Sequence, residues 1–305
     1  MRRTSTVSSR REPGANPGRS RHCQRGFRES DTGASCVHSW LAASRQGRCP
    51  LLPFVPLVLA AASMRIVSLA PALTEDLFAL GAGPQVVAVD AFSNRPPAAR
   101  RLPRVGGMRD VNAEAVLAER PDVVVGVPYE AAHLADLERA GLRTVTVPLD
   151  GLDDDVRAIQ TLGRVAGRPA AAQRLVASIR ARLDRARARA RAHRPLRVFV
   201  SLGSMGTAGG GSYIDDLLTL ANLANVAHDI PRPWVTYSAE QLIAAQPDVL
   251  VVPVPGPPLV GEPWDRLAAV RAGRIVRIPQ DDLLRPGPRV ADVLDDLVAG
   301  VAGWR

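Results

Sequence analysis

The sequence predicts an α/β protein built as two lobes with parallel sheets, joined by a single long helix. Three observations predict it. From Arg65 onward, short β-branched apolar runs alternate with amphipathic stretches, the pattern of a parallel sheet covered on both faces. A unit near the middle of the first half returns in the second half at a constant offset of 126 residues. Between the halves stands one long segment of strong helix formers.

The chain has 305 residues and is 46 % hydrophobic, enough for two lobes, each with its own small core. Residues 1–63 read as a disordered leader. They hold ten Arg against Glu12, Glu29 and Asp31, as well as all three cysteines, Cys23, Cys36 and Cys49. Within the leader, residues 51–62 form an apolar run too short to span a bilayer. It suits a secretory signal, with Ala60-Ala61-Ala62 supplying small residues for cleavage. That reading makes the product periplasmic or otherwise extracytoplasmic. Met64 offers an alternative start, which makes it cytoplasmic.

In the first lobe, residues 64–168, strands are expected at Arg65–Leu69, Val86–Val89, Asp122–Val127 and Arg143–Val147. Helices are expected at Thr74–Leu80 and Glu130–Ala140, with Gly81 and Gly141 as stops. The linker, residues 169–195, contains a helix over Ala170–His193 that starts at Pro169 and stops at Pro195. Leu175, Ile179 and Leu183 give it helical spacing, and its arginines are read as a solvated face. In the second lobe, residues 196–305, strands are expected at Arg197–Leu202, Asp248–Val254 and Arg274–Ile278. Helices are expected at Ile214–Asn225, Ala239–Ala245 and Pro288–Val301.

The internal repeat aligns residues 112–125 with residues 238–251. Ala113, Glu114, Ala118, Pro121, Asp122, Val123 and Val125 are identical to their counterparts. Each copy is a capped helix, a Pro-Asp turn and a buried strand, with Asn112 and Ser238 as the caps. Glu114 and Glu240 therefore stand at equivalent places. An acid there complements the helix dipole, and a matched pair also suits docking to a two-fold partner with two basic pockets.

The chain contains no Lys, and outside the leader 29 Arg nearly balance 27 acidic residues. A near-neutral body argues against nucleic acid as partner. The Gly203–Gly211 segment lacks the Lys-Ser or Lys-Thr of a phosphate loop and is read as permissive backbone beside a cleft. His133, His193 and His228 show no metal-ligand spacing, and Ser68, Ser204 and Ser212 lack a nucleophile elbow. Asp153-Asp154-Asp155 is read as the cap of the following helix. The residues thus suggest neither a catalytic site nor a bound metal or cofactor.

Residues 65–75 (RIVSLAPALTE), Phe92–Pro97, Leu102–Gly106, both copies of the repeat, Ser212–Leu218 and Arg285–Arg289 together resemble the helical-backbone (class III) periplasmic substrate-binding proteins of ABC importers. The resemblance runs from about residue 65 to the C-terminus and is nearest to the cobalamin-binding receptors. It implies two Rossmann-like lobes with a ligand cleft between them, no enzymatic activity, a monomer, and ABC permease and ATPase subunits as partners. It also implies cobalamin, or a ferric siderophore or haem, as the small-molecule ligand. Phe92, Met108, Trp234, Asp281 and Arg285 line up with ligand-contacting positions, and Glu114 and Glu240 with the permease-docking pair. Met108 and Val127 stand where aromatics are expected, and Asn222-Leu223 replaces a Gly-Gly. The alternatives are a cytosolic cobalamin-binding protein and a nucleotide-sugar enzyme on a doubled α/β scaffold. The enzyme would need a catalytic base and a phosphate loop, and neither is found.

Overall fold

The computed structural model describes residues 63–304. The leader, with its cysteines and the 51–62 apolar run, lies outside the described residues apart from Ser63. No helix among the described residues is long and apolar enough to cross a membrane.

The first sheet contains β1 (Ile66–Ser68), β2 (Val86–Val89), β3 (Val123–Gly126) and β4 (Thr144–Thr146), in the order β2-β1-β3-β4 and all parallel. The second contains β5 (Leu196–Val200), β7 (Leu223–Asn225), β9 (Val249–Val254) and β10 (Ile275–Pro279), in the order β10-β9-β5-β7 and likewise parallel. A separate antiparallel pair is formed by β6 (Gly206–Ala208) and β8 (Trp234–Thr236). β6, β7 and β8 were not expected from the sequence. Three residues are too few to show a period, and residues 223–225 looked like the end of a helix. That helix, α6 (Tyr213–Leu220), stops earlier, where Asn222 turns left-handed at φ 57° and sends the chain into β7.

The repeat returns in the structure with the same cap, turn and strand tie, and the second copy adds a bond from the Ser238 N–H to Gln241 Oε1. Asn112 Oδ1 accepts from the Ala115 N–H at 2.9 Å and caps α2 (Ala113–Ala118). Ser238 Oγ accepts from the Gln241 N–H at 3.1 Å and caps α7 (Ala239–Ala245). Each helix leads into a left-handed residue, Arg120 at φ 46° and Gln246 at φ 40°. Asp122 and Asp248 then accept from the backbone N–H of Arg65 and Arg197 at 2.7 and 2.9 Å. Each aspartate therefore ties the start of one strand to the start of its neighbour, which sets the register Ile66↔Val123 and Val198↔Val249.

The core corrects the expectation of one core per lobe. Residues on the inner faces of both sheets, such as Ile66, Val123, Val198 and Val249, belong to one continuous apolar cluster. It runs through α1 (Pro71–Ala79), α4 (Leu152–Val165), α5 (Pro169–Ala190), α6 and α10 (Val290–Val301). Only the outer faces keep separate clusters, around Val67 and Val124 in the first lobe and Phe199 and Leu250 in the second.

The linker helix α5 is the spine of that shared core. Its buried residues are Ala172, Val176, Ile179, Leu183, Ala186 and Ala190, a 4-3-4-3-4 spacing that follows one helix face. Two of its arginines, while staying partly in solvent as expected, also pin it to α10. Arg182 reaches Asp292 at 2.5 Å and Asp295 at 3.1 Å, and Arg189 also pairs with Asp295. Gly163 allows α4 to cross α5 closely, since a Cβ there would meet the Ala172 Cβ at 2.5 Å.

Candidate functional site: the cleft between the lobes

Side chains that follow the carboxyl ends of the strands converge on a cleft of about 740 Å³. Ligands of open parallel sheets bind at this edge. Ala70 and Pro71 follow β1, Phe92 follows β2, Val127 and Tyr129 follow β3, and Leu149 and Asp150 follow β4. From the second lobe, Gln280, Asp281, Leu284 and Arg285 follow β10, and Tyr213 and Trp234 complete the wall.

All five positions anticipated as ligand contacts, Phe92, Met108, Trp234, Asp281 and Arg285, line this one cleft. Phe92 is 56 % exposed on a loop held from below. Buried Asp90 accepts from the Phe92 N–H at 2.8 Å and from the Ser93 hydroxyl, and Arg104 donates to the carbonyls of Asp90 and Ser93. Burial pushes the Asp90 carboxyl above its usual range. Trp234 is 48 % exposed and sits on β8, where the sequence reading placed it in a loop. It packs edge-on against Tyr213 with centroids 6.1 Å apart.

Two of the charged residues of the cleft, Asp281 and Arg285, are engaged with each other. Arg285 reaches Asp281 at 2.8 Å and donates to Asn94 Oδ1 at 2.6 Å, and Asn94 Nδ2 donates to Asp281 at 2.9 Å. Because Asn94 belongs to the first lobe, this triad also joins the lobes. Beside it, Arg95 pairs with Asp282 at 2.6 Å, and Arg289 makes two hydrogen bonds to Glu75, at 2.7 and 2.9 Å. Glu75 and Arg289 are both largely buried, so this bidentate pair is a firm clasp across the junction.

Tyr129, Tyr213, Asp150 and Gln280 also line the cleft and were missed in the sequence. Tyr129 had one available signal: it lies three residues past the carboxyl end of a fully buried strand. It is 58 % exposed, and its Oη accepts from Arg109 Nε at 2.9 Å. Tyr213 is buried and donates to the Leu283 carbonyl at 2.6 Å, a tertiary contact with no local signature.

The glycine-rich segment differs from its expectation. A Cβ on Gly209 or Gly210 would meet the carbonyls of Arg232 and His228 at 2.3 and 2.2 Å, so these glycines admit the neighbouring loop and not a ligand. Asp153-Asp154-Asp155 also divides. Asp154 alone caps, accepting from the Gly151 N–H at 3.1 Å, while Asp155 turns inward.

Glu114 and Glu240 lie apart from the cleft lining, each at the second position of its helix and each exposed. The hydrogen bonds of its own backbone N–H and of Ser238 hold the Glu240 carboxyl below its usual range. Among the described residues no group of three or more His, Cys, Asp or Glu is placed to hold a metal ion.

Residues 66–281 match the family model described as periplasmic binding protein. The chain belongs to that family. This periplasmic binding protein is 29 % identical over 259 residues to a vitamin B12-binding protein of Vibrio cholerae serotype O1, covering 82 % of this chain and 94 % of the relative. Among solved structures, it resembles the periplasmic vitamin B12 binding protein BtuF of Vibrio cholerae with a TM-score of 0.69. Their identity is 28 %, over 78 % of this chain and 96 % of that one. It resembles the periplasmic heme-binding protein RhuT from Roseiflexus sp. RS-1 equally, with a TM-score of 0.69 and 32 % identity over 78 % and 97 % of the two chains.

Proposed function

We propose that this binding protein captures cobalamin or a closely related corrinoid in the interlobe cleft and delivers it to the permease and ATPase subunits of an ABC importer, without turning it over. The observation that carries the ligand is the charge of the cleft. Among its lining residues the one cation is Arg285, already committed to Asp281 and Asn94, and the remaining charge is the carboxylate of Asp150. Such a cleft suits a broad ligand whose rim carries neutral amides, with Phe92, Met108 and Trp234 against its apolar faces. The vitamin B12-binding relatives support the same ligand.

A second reading rests on Tyr129. A phenol oxygen held by Arg109 at the cleft wall suits a ferric centre with an acidic periphery, and so favours haem or a ferric siderophore. Titration of the full chain with cyanocobalamin, haem and a ferric hydroxamate, followed by absorbance and tryptophan quenching, separates the two readings. Saturable one-to-one binding of cyanocobalamin is expected. Binding of an iron chelate alone moves the ligand, and catalytic turnover of any of them removes the binding-protein reading.

Delivery is assigned to Glu114 and Glu240 meeting basic pockets on a permease, with the protein acting as an exported monomer. The double variant Glu114→Ala/Glu240→Ala is expected to keep ligand affinity and lose uptake. Unchanged uptake removes the docking role. A mature N-terminus at Ser63 marks export, and one at Met64 marks a cytosolic binding protein.

A further inference from the structure

Beside the cleft wall lies a pair of acids that ligand capture does not use. Asp76 on α1 is fully buried, and among the described residues neither of its oxygens has a hydrogen-bond partner. Asp155, in the first turn of α4, is 1 % exposed, and its Oδ1 is also unpartnered. Both carboxyls meet the same residue of the second lobe. The Gly287 N–H lies beside the Asp155 carboxyl, and a Cβ on Gly287 would lie 3.5 Å from Asp76 Oδ1. Gly287 is part of a strap, residues 284–289, whose start forms cleft wall through Leu284, Arg285 and Pro286 and whose end clasps Glu75 through Arg289.

The surroundings offer this pair no counter-charge. Glu75, the neighbouring acid on α1, is taken by Arg289. On the strap, Arg285 serves Asp281 and Asn94, and Arg289 also pairs with Asp282. On α6, Tyr213 spends its proton on the Leu283 carbonyl. On α4, Asp154 turns to Arg157, and Asp153 is exposed. Asp90, at the sheet side of α1, is held by Ser93, Phe92 and Arg104. The buried face that α5 packs against α4 is apolar. Two buried carboxyls that feel each other's charge and have no counter-charge do not both stay ionised.

We infer that Asp76 and Asp155 form a buried proton-holding pair under the 284–289 strap, and that ionising the pair loosens the packing of the strap, and with it one wall of the cleft, on the first lobe. Burial and the neighbouring acids push Asp76 well above the usual carboxylate range, and burial pushes Asp155 up to about 7. A carboxyl whose folded pKa is raised stabilises the fold fully below its unfolded pKa. That stability declines as pH rises and is gone above the folded value. The joint is therefore firmest in mild acid and loosens above neutrality.

The test is thermal unfolding of the full chain between about pH 5.5 and about pH 8, comparing wild type with Asp76→Asn/Asp155→Asn. Wild type is expected to lose about 4 °C more than the double variant across this range. Other acids raised by burial, Glu130 among them, titrate in both proteins and cancel in the difference. Equal losses overturn the inference. Should the double variant fail to fold, Asp155→Asn is compared with wild type by infrared spectroscopy at about pH 6. A protonated-carboxyl C=O band present in wild type and missing from the variant supports the pair, and superimposable spectra overturn it.

Discussion

In the first lobe Asn112 caps α2, Arg120 turns left-handed and Asp122 grips the N–H of Arg65. In the second lobe Ser238, Gln246 and Asp248 do the same for α7 and Arg197. The cleft walls show no such correspondence. The first lobe contributes Phe92, Met108 and Tyr129, and the second contributes Trp234 with the paired charges Asp281 and Arg285. The difference separates a constrained part of each lobe from a free one. A short helix feeding a buried strand has few ways to satisfy its backbone, so both lobes use the same one. A cleft wall is free of that constraint, so its side chains can differ between the lobes.

The largest way to break this comparison is at the junction, where the lobes stop being equivalent. Arg289→Ala leaves buried Glu75 without its bidentate partner and is expected to cost about 3 kcal/mol or more of stability, measured by urea unfolding. A cost below about 1 kcal/mol would mean that the shared apolar core alone holds the lobes.

Trp234→Ala tests the cleft side. It is expected to weaken cyanocobalamin binding about 30-fold, a loss of about 2 kcal/mol, while leaving the unfolding temperature nearly unchanged because Trp234 is half exposed. The mutation Asp122→Ala and its counterpart Asp248→Ala test the repeated side. Each removes one carboxylate-to-backbone hydrogen bond and is expected to cost about 1–2 kcal/mol, equally in the two lobes. A gap above about 1 kcal/mol between them would show that shared geometry does not mean shared energetics.

Glu130 sharpens the contrast, since it lies just past the repeated unit, where the two lobes diverge. It is buried, accepts from the Val127 N–H at 3.0 Å, and burial pushes its carboxyl up to about 7. Its stabilisation is present below the ordinary carboxylate range and is lost as pH rises through about 7. Glu130→Gln is expected to reduce the fall in unfolding temperature between about pH 5 and about pH 8 by about 2 °C. Smallest of all, Glu114→Ala/Glu240→Ala is expected to leave the unfolding temperature within about 1 °C of wild type, because both side chains are exposed.

The sequence by itself determined the framework: the seven strands of the two parallel sheets other than β7, the long helix, and the pseudo-equivalence of Glu114 with Glu240. Each is written in local chemistry, as β-branched runs, capping residues and a Pro-Asp turn whose effects reach only a few residues. The family resemblance placed Phe92, Met108, Trp234, Asp281 and Arg285 in one cleft, and the fold brings them together there. Only the tertiary structure decided the rest. The two lobes share one core, and Ala186 and Ala190 belong to it although they alternate with arginines. Arg285 is spent on Asp281 and Asn94, and Asp155 is buried against Gly287 where its neighbour Asp154 caps a helix. These contacts join residues up to about two hundred positions apart. Such pairs leave no period in the chain, because what brings them together is the burial of apolar faces far from either residue.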